Sequence, residues 1–154
     1  MIQRKQTLFL LQLVFFGIAL LFVSVTTVVT NTPSPASTPV YLSPLHHPQL
    51  QSTTGHLAAI VINAVALILS FITIFLYKRR ELQLKLCYVL AGLWIILIAM
   101  IAACPFVLKN DPEMEIHTNY FGCLIGAFAV LAALLAARFI KKDIELLKSA
   151  DRIR

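Results

Sequence analysis

The side chains of this sequence whose types could do chemistry are three cysteines, four histidines and a short acidic run. Cys104 and Cys123 are the pair that could close a disulfide or carry a thiol redox reaction. Such a reaction needs a closely spaced redox pair and a second pair to relay electrons, and the sequence has no C-x-x-C. His46, His47, His56 and His117, together with Asp111, Glu113 and Glu115, are metal-ligand types. Their spacing fits no ligand pattern, and adjacent histidines in extended chain point in different directions. The polarity of a loop accounts for them, so no metal is expected. No Ser-His-Asp order, phosphate-cradling loop or nucleotide fingerprint occurs, and neither catalytic residues nor a cofactor are expected.

The elements that would position these residues are not those of a water-soluble domain. The chain is 59% apolar and 13% charged, against about 45–50% and about 25% for ordinary soluble domains. Its mean hydropathy is +0.85, and no Asp, Glu, Lys or Arg lies between Gln6 and Tyr77. Too few charges remain to solvate a globule, and the chain belongs in lipid.

A helix crosses a hydrocarbon layer of about 30 Å with roughly 20 apolar residues. Four stretches qualify: Thr7–Val29, Leu57–Tyr77, Leu84–Cys104 and Asn119–Ile140. The first follows a basic segment but is longer than the roughly 7–15 apolar residues of a signal peptide, so it is expected to be a retained span. The expected fold is therefore an all-α membrane protein, a single four-transmembrane-helix bundle over residues 1–154.

Twelve of the thirteen Lys and Arg residues fall on one side of such a bundle. They are Arg4 and Lys5; Lys78, Arg79, Arg80 and Lys85; and Arg138, Lys141, Lys142, Lys148, Arg152 and Arg154. With Glu81, Asp143, Glu145 and Asp151 counted, that side carries a net +8, and the other, with Lys109, Asp111, Glu113 and Glu115, carries −2. Cationic loops stay cytoplasmic, so both termini are expected in the cytoplasm. The overall charge of +6 thus points to a membrane surface, not to nucleic acid.

The outer segments are 30–56 and 105–118. The first has five prolines, which oppose regular helix, with Val40, Tyr41, Leu42, Leu45 and Leu50 between them. An ordered but irregular cap over the outer helix ends is expected, the alternative being a floppy loop. In the tail 141–154, Ile140, Ile144 and Leu147 recur at helical spacing, which predicts an amphipathic continuation of the fourth span. It can lie against headgroups or dock a cytoplasmic partner.

Proton-coupled transport needs ionisable groups inside the spans, and the central turns of all four have none. Asn63 is the most deeply placed polar residue and is expected to face the bundle and hydrogen-bond across helices. Gly122, Gly126, Ala129 and Ala133 place small residues on one face of the fourth span, where a neighbouring backbone can approach closely. That neighbour is expected within the chain, a partner's helix being the alternative.

Met1–Thr7, the turn Tyr77-Lys-Arg-Arg-Glu-Leu-Gln-Leu-Lys-Leu-Cys87 and the ending Lys142–Arg154 together resemble the small four-span bacterial membrane proteins of domain of unknown function 4293, found in Bacteroidetes. The resemblance covers the whole chain and is strongest in these charged segments. It implies an inner-membrane location and supplies no catalytic residues. The expected function is that of a non-enzymatic accessory or scaffolding subunit of a larger membrane complex, in protein export or envelope biogenesis. It would contact lipids and other membrane subunits through Arg4, Lys5, Lys78, Arg79, Arg80, Lys141, Lys142, Asp151 and Arg152. A lipid- or quinone-binding protein and a thiol redox enzyme using Cys104 and Cys123 are the alternatives.

Overall fold

The computed structural model describes residues 2–30, 36–41, 54–108, 114–118 and 120–151. Four helices dominate it: α1 (Ile2–Phe22), α2 (Thr54–Phe75), α3 (Arg80–Leu108) and α4 (Tyr120–Asp151). Three strands, β1 (Ser24–Thr30), β2 (Ala36–Tyr41) and β3 (Met114–Thr118), form an antiparallel sheet in the order β2-β1-β3. Three apolar helices, Leu57–Lys78, Arg80–Ala103 and Tyr120–Ser149, are long enough to cross a membrane, and α1 contributes a shorter apolar run, Gln6–Phe22.

The four helices of the expected bundle are present, with the small sheet added beside them. One boundary is corrected: the first apolar stretch does not continue as helix to Val29 but ends at Phe22. The seven residues Ser-Val-Thr-Thr-Val-Val-Thr that follow are nearly all β-branched. Branching at Cβ restricts χ1 against the preceding helical turn and favours a pleated strand. The 30–56 segment is also more regular than expected, since β2 pairs with β1 from Ala36↔Thr30 to Tyr41↔Ser24, with a bulge between Ser24 and Thr26. Pro39 is tolerated because β2 is an edge strand, where a missing N–H breaks no inner ladder bond. Residues 31–35, 42–53 and 109–113 of these segments, with His46, His47, Asp111 and Glu113 among them, lie outside the described residues.

Each helix packs against its neighbours in sequence, and α1 closes the ring against α4. The buried positions recur in alternating steps of four and three residues. They are Gln6, Leu10, Leu13, Gly17 and Leu20 on α1; Ala59, Asn63, Ala66, Ser70 and Thr73 on α2; Gln83, Cys87, Leu90, Trp94, Leu97 and Ile101 on α3; and Gly122, Gly126, Ala129, Ala133, Ala136, Ile140 and Asp143 on α4. A 3.5-residue repeat is the signature of left-handed, knobs-into-holes bundles.

Contacts between helices fix the vertical register. Gln6 Nε2 donates to the Phe139 carbonyl at 3.3 Å, Asn63 Nδ2 to the Gly17 carbonyl at 3.2 Å, and Gln83 Nε2 to the Thr73 carbonyl at 3.2 Å. Arg80 reaches Asp143 at 2.7 Å. Neighbouring helices in the ring therefore run antiparallel, and the buried positions stack in layers. Gln6, Thr73, Gln83 and Ile140 share one layer; Leu10, Ser70, Cys87 and Ala136 the next; then Leu13, Ala66, Leu90 and Ala133; Gly17, Asn63, Trp94 and Ala129; and Leu20, Ala59, Leu97 and Gly126. One end of the stack is capped by the sheet, and the other carries the charged turns.

Candidate functional site

The charged end is built where α2 hands over to α3. A three-residue 3-10 turn, Leu76–Lys78, ends α2, with the Arg79 N–H donating to the Leu76 carbonyl at 3.0 Å. The last carbonyls of a helix lack intrahelical partners. Buried Gln83 supplies a donor for that of Thr73, pinning the start of α3 beneath the end of α2.

Arg80 then turns onto α4, where Asp143 holds it in an ion pair whose side chains are 23% and 13% exposed. Across the ring, Phe9 stacks on Phe139 with centroids 5.5 Å apart beside the Gln6 bond. These contacts hold α1, α2, α3 and α4 together at one end.

An open groove of about 650 Å³ lies there, lined by Lys78, Arg79, Arg80, Glu81, Leu82, Ile144, Leu147 and Lys148. Lys78, Arg79 and Lys148 are exposed and form no ion pair with a described acidic side chain. α4 runs unbroken past its last buried layer at Asp143 to Asp151, with Leu146 and Leu147 exposed among charged residues. Of the other residues singled out from the sequence, Lys141 and Lys142 are exposed on α4. Arg4 and Lys5 lie in α1 and Asp151 ends α4, their side chains outside the described part, as are Arg152 and Arg154 altogether.

The interior is otherwise arranged. Gly122, Gly126, Ala129, Ala133 and Asn63 are all buried, and the small face of α4 receives α3 and α1 of the same chain. A Cβ built at Gly126 would fall 2.5 Å from Ile98 Cγ1, and one at Gly17 would fall 2.8 Å from Leu67 Cγ. Trp94, 1% exposed, is among the largest fully buried side chains of the core. Ser70 and Thr73 turn their hydroxyls back on the Ala66 and Leu69 carbonyls at 2.7 and 2.6 Å, the usual resolution for a hydroxyl within a helix. Asn63 Oδ1 and Trp94 Nε1, acceptor and donor of one layer, have no hydrogen-bond partner among the described residues.

Of the three cysteines, two have described side chains, Cys87 and Cys123. Cys123 is a free, half-buried thiol, and the side chain of Cys104, its expected disulfide partner, lies outside the described residues. Buried Cys87 is level with Ala136, thirteen residues along α4 from Cys123, which separates the two thiols by about 20 Å at the helical rise. Among the described residues no three His, Cys, Asp or Glu side chains cluster to hold a metal.

Sequence reasoning missed Gln6, Gln83 and Trp94 as buried positions, and the Arg80–Asp143 pair. The signal that finds the first three is the 4-3 spacing, which continues through the polar residues at the ends of the apolar runs.

Comparison with known proteins gives one result on which to build. The profile of a family described as Domain of unknown function (DUF4293) matches residues 2–153. No curated protein and no solved structure matches.

Proposed function

This chain belongs to the DUF4293 family, and we propose that it is a four-pass inner-membrane protein acting as a non-enzymatic accessory subunit of a larger membrane assembly. The fourth crossing is assigned to α1. Its buried residues from Gln6 to Leu20 run through the same layers as those from Thr73 to Ala59 on α2, so it traverses the same depth as a helix long enough to span. By the positive-inside bias the charged end faces the cytoplasm, with both chain ends on that side.

One observation carries the docking role: α4 projects beyond the bundle's last layer, presenting exposed Leu146 between charges of both signs. A helix that leaves its bundle with an exposed apolar side chain offers a partner an anchor. The interior supports an apolar-ligand role less well, since the Asn63 amide and the Ser70 hydroxyl already donate to backbone carbonyls. Cys87 and Cys123 lie too far apart to relay electrons between them.

Affinity purification in a gentle detergent, followed by mass spectrometry, tests the role. A stoichiometric membrane partner lost on Leu146→Ser is expected; a lone monodisperse monomer overturns it.

A further inference from the structure

The groove at the charged end has a composition that holding the bundle together does not require. Arg80 is committed to Asp143. That leaves Lys78, Arg79 and Lys148 around the groove against a single lining carboxylate, Glu81. Solvated surfaces intersperse charges of both signs; here three cations gather on one concavity. Its other walls are Leu82, Ile144 and Leu147, two of them exposed large apolar side chains.

Depth identifies what meets both halves. Arg80 faces Asp143 at the last bundle layer, where the apolar runs of α3 and α4 give way to charge. The groove therefore lies at the boundary between hydrocarbon and headgroups. Its volume of about 650 Å³ falls within the roughly 300–1,000 Å³ of small-molecule sites.

We propose that this groove holds one anionic phospholipid of the cytoplasmic leaflet. Its phosphodiester is bound by Lys78, Arg79 and Lys148, and the upper part of one acyl chain lies along Leu82, Ile144 and Leu147. Basic pockets between helices on the cytoplasmic side bind anionic headgroups, and the groove's net positive charge over Glu81 attracts a phosphodiester anion. Three apolar side chains beside a cationic rim match the two parts of a lipid, tail and headgroup. The inference rests on the four-pass reading only for the groove's position at the headgroups, and it stands whether or not a protein partner exists.

The test uses the full chain in nanodiscs containing equal phosphatidylglycerol and phosphatidylcholine, read by native mass spectrometry for retained lipid. Wild-type protein is expected to retain phosphatidylglycerol preferentially. Each cation contributes roughly fivefold at low salt, so K78Q/R79Q/K148Q should lower that preference by about a hundredfold. The control K85Q/K141Q/K142Q removes the same charge from exposed residues outside the groove, and should lower it less than about threefold.

Equal losses in the two triple variants would reduce the effect to diffuse surface charge and overturn the proposal. So would the absence of any anionic preference, displacement of the lipid by inorganic phosphate, or displacement by an acidic peptide at equal concentration. None of these outcomes bears on whether a subunit co-purifies through Leu146.

Discussion

Adding one methyl group at Gly126 tests the packing of α3 on α4 more sharply than any deletion. The new Cβ would sit 2.5 Å from Ile98 Cγ1, 3.1 Å from its Cδ1 and 3.9 Å from its Cβ, where carbon atoms prefer about 3.5–4.0 Å. Ile98 is branched at Cβ, so Cγ1 cannot swing aside without taking the side chain off its rotamer. Overpacking of this kind costs about 1–3 kcal/mol. Alanine recovers up to about 1 kcal/mol of helix propensity, leaving Gly126→Ala destabilising by up to about 2 kcal/mol. In an Ile98→Ala background both close atoms are gone and the remaining 3.9 Å contact is ordinary. There the same substitution should stabilise by about 0.5–1 kcal/mol. The assay is reversible unfolding in mixed detergent–lipid micelles, followed by helical circular dichroism on the four members of the double-mutant cycle. A reversal of sign, with coupling near 2 kcal/mol, is expected. Equal costs in both backgrounds, within about 0.5 kcal/mol, would refute the contact and return the small-residue face of α4 to an external partner.

Three further outcomes follow from the same geometry. Breaking a buried ion pair from one side costs about 3–5 kcal/mol, whereas replacing both partners with apolar residues is often neutral. The Arg80–Asp143 pair is partly exposed, so Asp143→Ala should cost about 1–3 kcal/mol in the same unfolding assay and Arg80→Met with Asp143→Leu less than about 1 kcal/mol. Asn63→Ala removes the bond to the Gly17 carbonyl and should cost about 0.6–1.7 kcal/mol, the range of hydrogen bonds between helices in lipid. It should also shift the emission of Trp94, the sequence's single tryptophan. In folded protein carrying Cys104→Ser, a lipid-soluble maleimide should modify half-buried Cys123 and leave buried Cys87 untouched until unfolding, as peptide mapping would show.

The sequence made the membrane helices legible because length, apolarity and charge asymmetry are summed over many residues. It made Asn63 legible because a lone amide in an apolar run must find a partner. The end of α1 was not read correctly, since Ser24–Thr30 is apolar enough to prolong a hydrophobic window and only its β-branching marks a strand. The sheet was missed for a related reason. β1 pairs with β3 across most of the chain, and no local pattern announces so distant a partner. At the charged end, Lys78, Arg79 and Arg80 were visible as cations, but their unequal fates were not. Arg80 is spent on Asp143, sixty-three residues away in sequence, while Lys78 and Arg79 line a groove together with Lys148 from the far end of α4.

The central claim is that all four helices traverse the bilayer together, with the charged end on the cytoplasmic side. It is tested most directly by single cysteines placed at Gln3, Thr30, Lys78, Thr118 and Lys148 in a background lacking Cys87, Cys104 and Cys123. These are probed in intact and permeabilised cells with an impermeant maleimide. Thr30→Cys and Thr118→Cys should label without permeabilisation of the inner membrane, and Gln3→Cys, Lys78→Cys and Lys148→Cys only after it. Labelling of Gln3→Cys and Thr30→Cys from the same side would mean that α1 does not cross, and would contradict the account.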